Sequence, residues 1–297
     1  MKTSLVIPAY NEEEALPSVL EEYMDKVDEI IVVDDGSNDK TYEIAKKNHV
    51  QVYKHEINKG KVAALRTGVA NASGDIIIFT DADCTYPAKY VPQFISEIEK
   101  GADLVLGSRF LNGINNMPLL NMIGNKLFSL IAAYISCINI SDGQTGYRAF
   151  RKENFGKLDV KAVSLEYETK MTVRAAKLGY KIVEIPIEYR KRVGTSKLRP
   201  IRDGAMMFRG LMSIAYKETS LIAKIFMMPS IFFILVGFSF GAYSIYEKVW
   251  NKVLQHEFYP LIASLFILIA LQLISVGLIM DYIVKKLDRI EEKLKSG

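Results

Sequence analysis

Ile76–Pro87 reads IIIFTDADCTYP. Ile76–Phe79 is an unbroken apolar run of strand length, the pattern of a strand buried on both faces. The run then gives way to Asp81 and Asp83, two carboxylates with one residue between them. Working outward, the same alternation recurs. SLVIPAY (Ser4–Tyr10) is an apolar run stopped by Pro8, and NEEEALPSVLEEYMDK (Asn11–Lys26) reads as helix. EIIVVDDGS (Glu29–Ser37) is a strand ended by a turn, with a helix in NDKTYEIAKKN (Asn38–Asn48). VQVYKH (Val50–His55) is a short strand, and GKVAALRTGVANA (Gly60–Ala72) is helical. AKYVPQFISEIEKG (Ala88–Gly101) is helix and ADLVLGSRF (Ala102–Phe110) strand. Strands and amphipathic helices in turn predict an α/β fold with a mainly parallel sheet covered on both faces.

Ligands of such sheets bind at the carboxyl ends of the strands. Tyr10, Asn11 and Glu12 follow the first strand, Asp34 and Asp35 the second, Asp81 and Asp83 the central one, and Arg109 ends the next. One such group is ordinary turn chemistry; four strands delivering them to one edge point to a site. Two carboxylates turned toward one point repel. A hard cation such as Mg²⁺ or Mn²⁺ removes that repulsion and shares its shell with phosphate oxygens. It can then neutralise charge on a diphosphate leaving group. A lone Asp-x-Asp is more often structural, so the weight lies in its context.

The C-terminal quarter differs in kind. Ile225–Tyr246 and Phe258–Met280 carry no charge, and either is long enough to cross roughly 30 Å of hydrocarbon as a helix. A pair of buried core helices is the alternative, but soluble helices rarely lack charge on every face for so long. Lysines and arginines flank the pair on the outer sides (Arg199, Arg202, Arg209, Lys217, Lys224; Lys285, Lys286, Arg289, Lys293, Lys295). The positive-inside rule therefore predicts an integral protein of the cell membrane with both termini and the catalytic domain cytoplasmic and a short outer loop. The expected organisation is a catalytic domain over residues 1–198, a juxtamembrane amphipathic helix over 199–220, spans over 221–248 and 257–281, and an amphipathic tail over 282–297. In that tail Ile283, Leu287, Ile290 and Leu294 form a short coiled-coil-like seam. The seam either continues the second span and supports self-association into a homo-oligomer or is a solvated end. A formal net charge of +4 over 297 residues offers no basic excess for nucleic acid. Cys84 and Cys137 show no metal or disulfide spacing, which fits a reducing compartment, and MKTSLVIPAY lacks a signal-peptide core.

VIPAYNEE, VVDDGSNDKT, GDIIIFTDADCTYP, LVLGSRF and DGQTGYRAFRKE occur in order. Together they resemble the family 2 glycosyltransferases of the GT-A fold, and more narrowly the dolichyl- and polyprenyl-phosphate sugar synthases, over Lys2 to about Leu198. Two C-terminal membrane helices also occur in that family. The resemblance implies that Pro8, Tyr10 and Glu12 cradle the nucleotide and that Asp35 accepts a hydrogen bond from the base. It implies that Asp81, with Ala82 beside it, lies near ribose and diphosphate, and that Asp83 is the principal metal ligand, with Mg²⁺ or Mn²⁺ as cofactor. Thr85 falls where several relatives carry a glutamine that touches the metal, and offers an oxygen of shorter reach. Arg109 matches an arginine that holds the acceptor phosphate. Asp142, Gln144 and Arg148 belong to the DGQTGYRAF motif; Gln144 and Arg148 are expected at the acceptor phosphate or diphosphate, and Asp142 is expected to polarise the acceptor or support the metal, unless it is a turn residue. EYRKRVGTSKL resembles a basic Gly-x-Ser-Lys segment, from which Arg192 and Lys197 are chosen for phosphate contact. Lys61 either approaches the nucleotide or is solvated, and Val62 departs from a glycine common there. The apolar face of Asn115–Ile135 lies either on the bilayer, guiding a lipid acceptor, or in the core.

The reaction implied is direct displacement at the anomeric carbon of a nucleotide sugar by a dolichyl or polyprenyl monophosphate oxygen, with inversion. By analogy with two-helix relatives the donor expected is a UDP-sugar (glucose or N-acetylglucosamine), with GDP-mannose as the alternative. A processive polysaccharide synthase is disfavoured by the missing Gln-x-x-Arg-Trp motif, and a non-catalytic scaffold by the carboxylates at one sheet edge.

Overall fold

The chain divides into two compact units, Met1–Ile214 and Ala215–Gly297. The computed structural model describes all residues except 114–116, 137, 161, 163–165, 196–203, 207, 211, 214–215, 217–218 and 297. Lys197 and part of the juxtamembrane stretch 199–220 therefore lie outside the described residues.

The first unit is built on a seven-stranded sheet. Its strands are β1 (Thr3–Ala9), β2 (Glu29–Asp34), β3 (Gln51–Lys54), β4 (Ile76–Phe79), β5 (Leu104–Ser108), β6 (Arg148–Arg151) and β7 (Ile182–Pro186). The spatial order is β3-β2-β1-β4-β6-β5-β7, and only β6 runs antiparallel to its neighbours. The helices are α1 (Leu16–Tyr23), α2 (Thr41–Lys47), α3 (Lys61–Asn71), α4 (Val91–Glu99), α5 (Leu119–Ser136), α6 (Phe155–Leu158) and α7 (Tyr167–Lys177). The apolar strands divide their side chains between two cores. Leu5, Ile7, Val32 and Ile78 pack with Leu16, Ala45 and Phe94, whereas Val6, Ile31, Ile77 and Phe79 pack with Leu65, Tyr167 and Met171. That two-faced burial is why these strands show no polar alternation.

Two details move functional residues. The predicted first helix begins only at Leu16, with Pro17 in its first turn. Asn11 is left-handed (φ 53°), and the Glu12 carbonyl accepts from the Ala15 and Leu16 amides, so Glu12 sits on a turn at the end of β1. Antiparallel β6 separates β4 from β5, which the motif reading of DGQTGYRAF did not include. Helix α5 has two apolar faces. It buries Phe128, Ala132 and Ile135, yet leaves Leu119, Ile123, Leu127 and Leu130 exposed.

The second unit is a pair of helices, α8 (Leu221–Tyr246), extended by one wider π turn over Glu247–Asn251, and α9 (Tyr259–Ser296). Both are long and apolar enough to cross a membrane by length and composition. They pack antiparallel through small residues: a Cβ on Gly237 would lie 3.0 Å from the Ala263 carbonyl oxygen, and one on Gly277 3.2 Å from that of Ala223. Such close backbone approach characterises helix pairs in lipid.

Candidate active site

The loop after β4 carries the densest chemistry. Asp81 Oδ1 lies 2.7 Å from Lys61 Nζ at the start of α3, and the same ammonium lies 2.9 Å from Glu168 Oε1 on α7. Burial alone would depress the Lys61 pKa, but the two carboxylates outweigh it and hold the ammonium well above the ordinary lysine range. Gly146 backs this pair, because a Cβ there would stand 2.9 Å from Asp81 Oδ2 and 3.2 Å from Lys61 Nζ. Ala82 buries its methyl in the core. Cys84 takes a left-handed turn (φ 64°), uncommon for a residue with a side chain.

Asp83 is buried, and its Oδ1 accepts from the Thr85 hydroxyl at 2.5 Å and amide at 3.2 Å. Thr85 thus fixes the orientation of Asp83. Arg192 Nη1 donates to Asp83 Oδ2 at 2.7 Å, and Nη2 donates to Glu12 Oε1. The segment that carries Arg192 runs beside the loop: the Arg190 amide donates to Thr85 O and the Val193 amide to Asp83 O. Burial first, then the Asp81 charge, push the Asp83 carboxyl above its ordinary range, against the pull of Thr85 and Arg192. A carboxyl raised by burial and by a neighbouring carboxylate, with the Thr85 hydroxyl beside it, fits a hard divalent cation whose shell is completed by water and phosphate. Among the described residues no third His, Cys, Asp or Glu joins them in a metal-binding group.

Asp35, at the end of β2, is buried and accepts from His55 Nδ1 at 2.6 Å, the Lys59 amide at 3.0 Å and the Gly60 amide at 2.7 Å. Pro8 and Tyr10 are half-buried at the end of β1.

Comparison with known proteins fits this edge. A family model described as glycosyl transferase family 2 matches residues 4–159. The chain belongs to glycosyl transferase family 2. A dolichyl-phosphate hexose transferase of Haloferax volcanii is 35% identical over 72% of this chain and 94% of its own length. Glycosyltransferase AglJ of the same organism is 31% identical over 97% of both chains. Among solved structures, glucosyl-3-phosphoglycerate synthase from Mycobacterium tuberculosis, in complex with Mn²⁺, UDP and glucosyl-3-phosphoglycerate, shares the fold. Its TM-score is 0.58 and its identity 24%, over 73% of this chain and 79% of that one.

Within this family 2 transferase, several residues are engaged in ways the sequence did not indicate. Arg109 is buried, and its Nε and Nη2 donate to Asp142 at 2.7 and 2.8 Å, with its amide donating to the same carboxylate at 3.0 Å. Burial opposes its charge, but Asp142 keeps the guanidinium firmly protonated. One face of its fork is thus closed by Asp142, which is itself wholly buried; the other side faces the Tyr189 ring at 5.5 Å. Arg148 is a correction. It was expected at a phosphate, yet it is wholly buried on β6, donating to the carbonyls of Thr145 and Glu168. There it ties the loop before β6 to α7, because a desolvated guanidinium needs fixed acceptors. Gln144 is half-buried, and its Nε2 is a buried donor without a partner.

Three residues escaped the sequence reading. Glu168 shares Lys61, His55 holds Asp35, and Glu184 on β7 accepts from the Ser141 and Asp142 amides. Each comes from an element distant in sequence from the residue it holds, so no local motif marks it.

Proposed function

We propose that this protein transfers a hexose or N-acetylhexosamine from a nucleotide sugar, a UDP-sugar in preference to GDP-mannose, to dolichyl or polyprenyl phosphate. The product is a lipid-linked sugar, a donor for protein or cell-surface glycosylation. The observation that carries this is the pair Asp81 and Asp83, each matched to a cationic side chain, Lys61 and Arg192, at the carboxyl edge of a family 2 sheet. The relative that acts on dolichyl phosphate supports the acceptor.

A phosphate oxygen of the acceptor, ionised at neutral pH, attacks the anomeric carbon. The bond from that carbon to the diphosphate oxygen breaks, the nucleoside diphosphate leaves with the electron pair, and the configuration inverts. No strong general base is required. What the reaction needs is positive charge that brings two anions together in line. Lys61 and Arg192 supply it at the aspartates, and Arg109, held between Asp142 and the Tyr189 ring, would supply it toward the acceptor. Asp81 and Asp83 would hold Mg²⁺ or Mn²⁺, which lowers the charge on a diphosphate leaving group. Glu12 and Asp35 would position the nucleotide.

The lipid side of the proposal rests on apolar surface. Helices α8 and α9 would span the membrane with the transferase unit in the cytoplasm. Tyr243, Tyr246, Trp250 and Tyr259 cluster near the connecting loop, as interfacial aromatic belts do. The exposed Leu119, Ile123, Leu127 and Leu130 of α5 offer a second surface to lipid.

The test is a panel of labelled UDP- and GDP-sugars given to the full chain in detergent with polyprenyl phosphate. Label in the organic extract supports the proposal. Label only in free sugar, or in an insoluble polymer, overturns it.

A further inference from the structure

The Asp35 carboxylate is crowded. Its Oδ1 accepts from His55 Nδ1 at 2.6 Å and from the Lys59 amide at 3.0 Å, and its Oδ2 from the Gly60 amide at 2.7 Å. An ionised carboxylate has about four acceptor positions, two on each oxygen. Oδ1 is therefore full, and one position on Oδ2 remains. The arrangement is fixed from two sides. Gly60 holds a left-handed φ of 91° at the head of α3, which glycine adopts without strain. His55 is buried, and its other nitrogen, Nε2, lies 3.0 Å from Thr67 Oγ1. Asp35 is only 3% exposed, so little of its carboxylate is accessible to a ligand.

Uracil and guanine make different demands on such a carboxylate. Uracil presents one ring N–H, flanked by two carbonyls. Guanine presents its ring N–H and exocyclic amine side by side, and a carboxylate receives both by giving one oxygen to each. Here Oδ1 has no position left. We infer that His55 is a specificity-determining residue: by filling Oδ1 of Asp35 it leaves one acceptor position, suited to the uracil of a uridine diphosphate sugar and unsuited to guanine. This rests on the reading of the chain as a nucleotide-sugar transferase with Asp35 at the base. His55 acts through Asp35 and touches neither sugar nor phosphate.

The experiment is calorimetric titration of the full chain in detergent with UDP, GDP and N3-methyl-UDP, in the presence of Mn²⁺, for wild type, His55→Ala and His55→Asn. Wild type is expected to bind UDP at least about tenfold more tightly than GDP and than N3-methyl-UDP, because each alternative leaves a buried polar group mismatched. His55→Asn places an amide nitrogen where Nδ1 stood and keeps the UDP-to-GDP ratio. His55→Ala narrows that ratio by about three- to tenfold, the worth of one hydrogen bond. The ratio is the informative readout, since mere loosening of the pocket would weaken both nucleotides together. Equal affinity for GDP and UDP in wild type, or an unchanged ratio in His55→Ala, overturns the role of His55 and leaves the transferase reading standing. A folded wild type that binds neither nucleotide overturns the transferase reading, and the role of His55 with it.

Discussion

Arg192 donates to Asp83 Oδ2 at 2.7 Å while its second amino group donates to Glu12. One guanidinium thus occupies the ground between two carboxylates, where a bound cation would also be attracted. Arg192→Ala should bind Mn²⁺ alone about tenfold more tightly than wild type, because a competing charge has gone. The same variant should transfer sugar about a hundredfold more slowly, since it lacks a donor for developing phosphate charge. Electron paramagnetic resonance of free Mn²⁺ gives the first quantity and a transfer assay the second. Weaker Mn²⁺ binding in the variant would contradict the competition.

The raised Asp83 carboxyl makes a prediction about stability. Its folded pKa lies above its unfolded value, through burial and then Asp81. The folded state therefore holds that proton more tightly, a contribution that is present at low pH and lost as pH rises through the folded value. At neutral pH the ionised group weighs against folding. Asp83→Asn is expected to melt at the same or a higher temperature than wild type at pH 7, with the difference shrinking in acid. A loss of about 1 kcal/mol or more at pH 7 would contradict this.

Gly146 is held small by its neighbours. A methyl there would press on Asp81 Oδ2, 2.9 Å away, and the end of a flexible side chain gives way more easily than backbone. Gly146→Ala should keep its melting temperature and lose about tenfold in transfer, because Asp81 moves off Lys61. Paired thermal melts and rates check this; an unchanged rate would contradict it.

Arg109 and Asp142 form a buried pair, and breaking one half leaves the other uncompensated. Arg109→Ala and Asp142→Ala should each cost about 3–5 kcal/mol in urea unfolding, and the double variant Arg109→Met with Asp142→Leu less than either. A milder effect of the single changes would show that the pair is not structurally required. For acceptor binding, the informative substitution is therefore Arg109→Lys, with transfer rate measured against lipid concentration.

Much of this was legible in the sequence because it is local. The apolar runs of β1, β2, β4 and β5 announce two-faced burial, and Asp81 and Asp83 follow their strand directly. The uncharged lengths of α8 and α9 are equally plain. What escaped is what folding brings together from afar. Antiparallel β6 is only four residues long and lay hidden inside a motif. Arg148 looked like a phosphate ligand because an arginine in a polar motif does not reveal that its strand is interior. Glu168 and His55 act on Lys61 and Asp35 through contacts that no spacing rule connects.

The most direct test is mass spectrometry of the lipid extract from wild type and Asp83→Asn, incubated in parallel with a UDP-sugar, polyprenyl phosphate and Mg²⁺ or Mn²⁺. Wild type should add one sugar per polyprenyl phosphate, and Asp83→Asn, folded by its melt, should fall by about a thousandfold or more. Equal amounts of glycosylated lipid from the two proteins, or none from wild type with any nucleotide sugar, would contradict a transferase centred on Asp83.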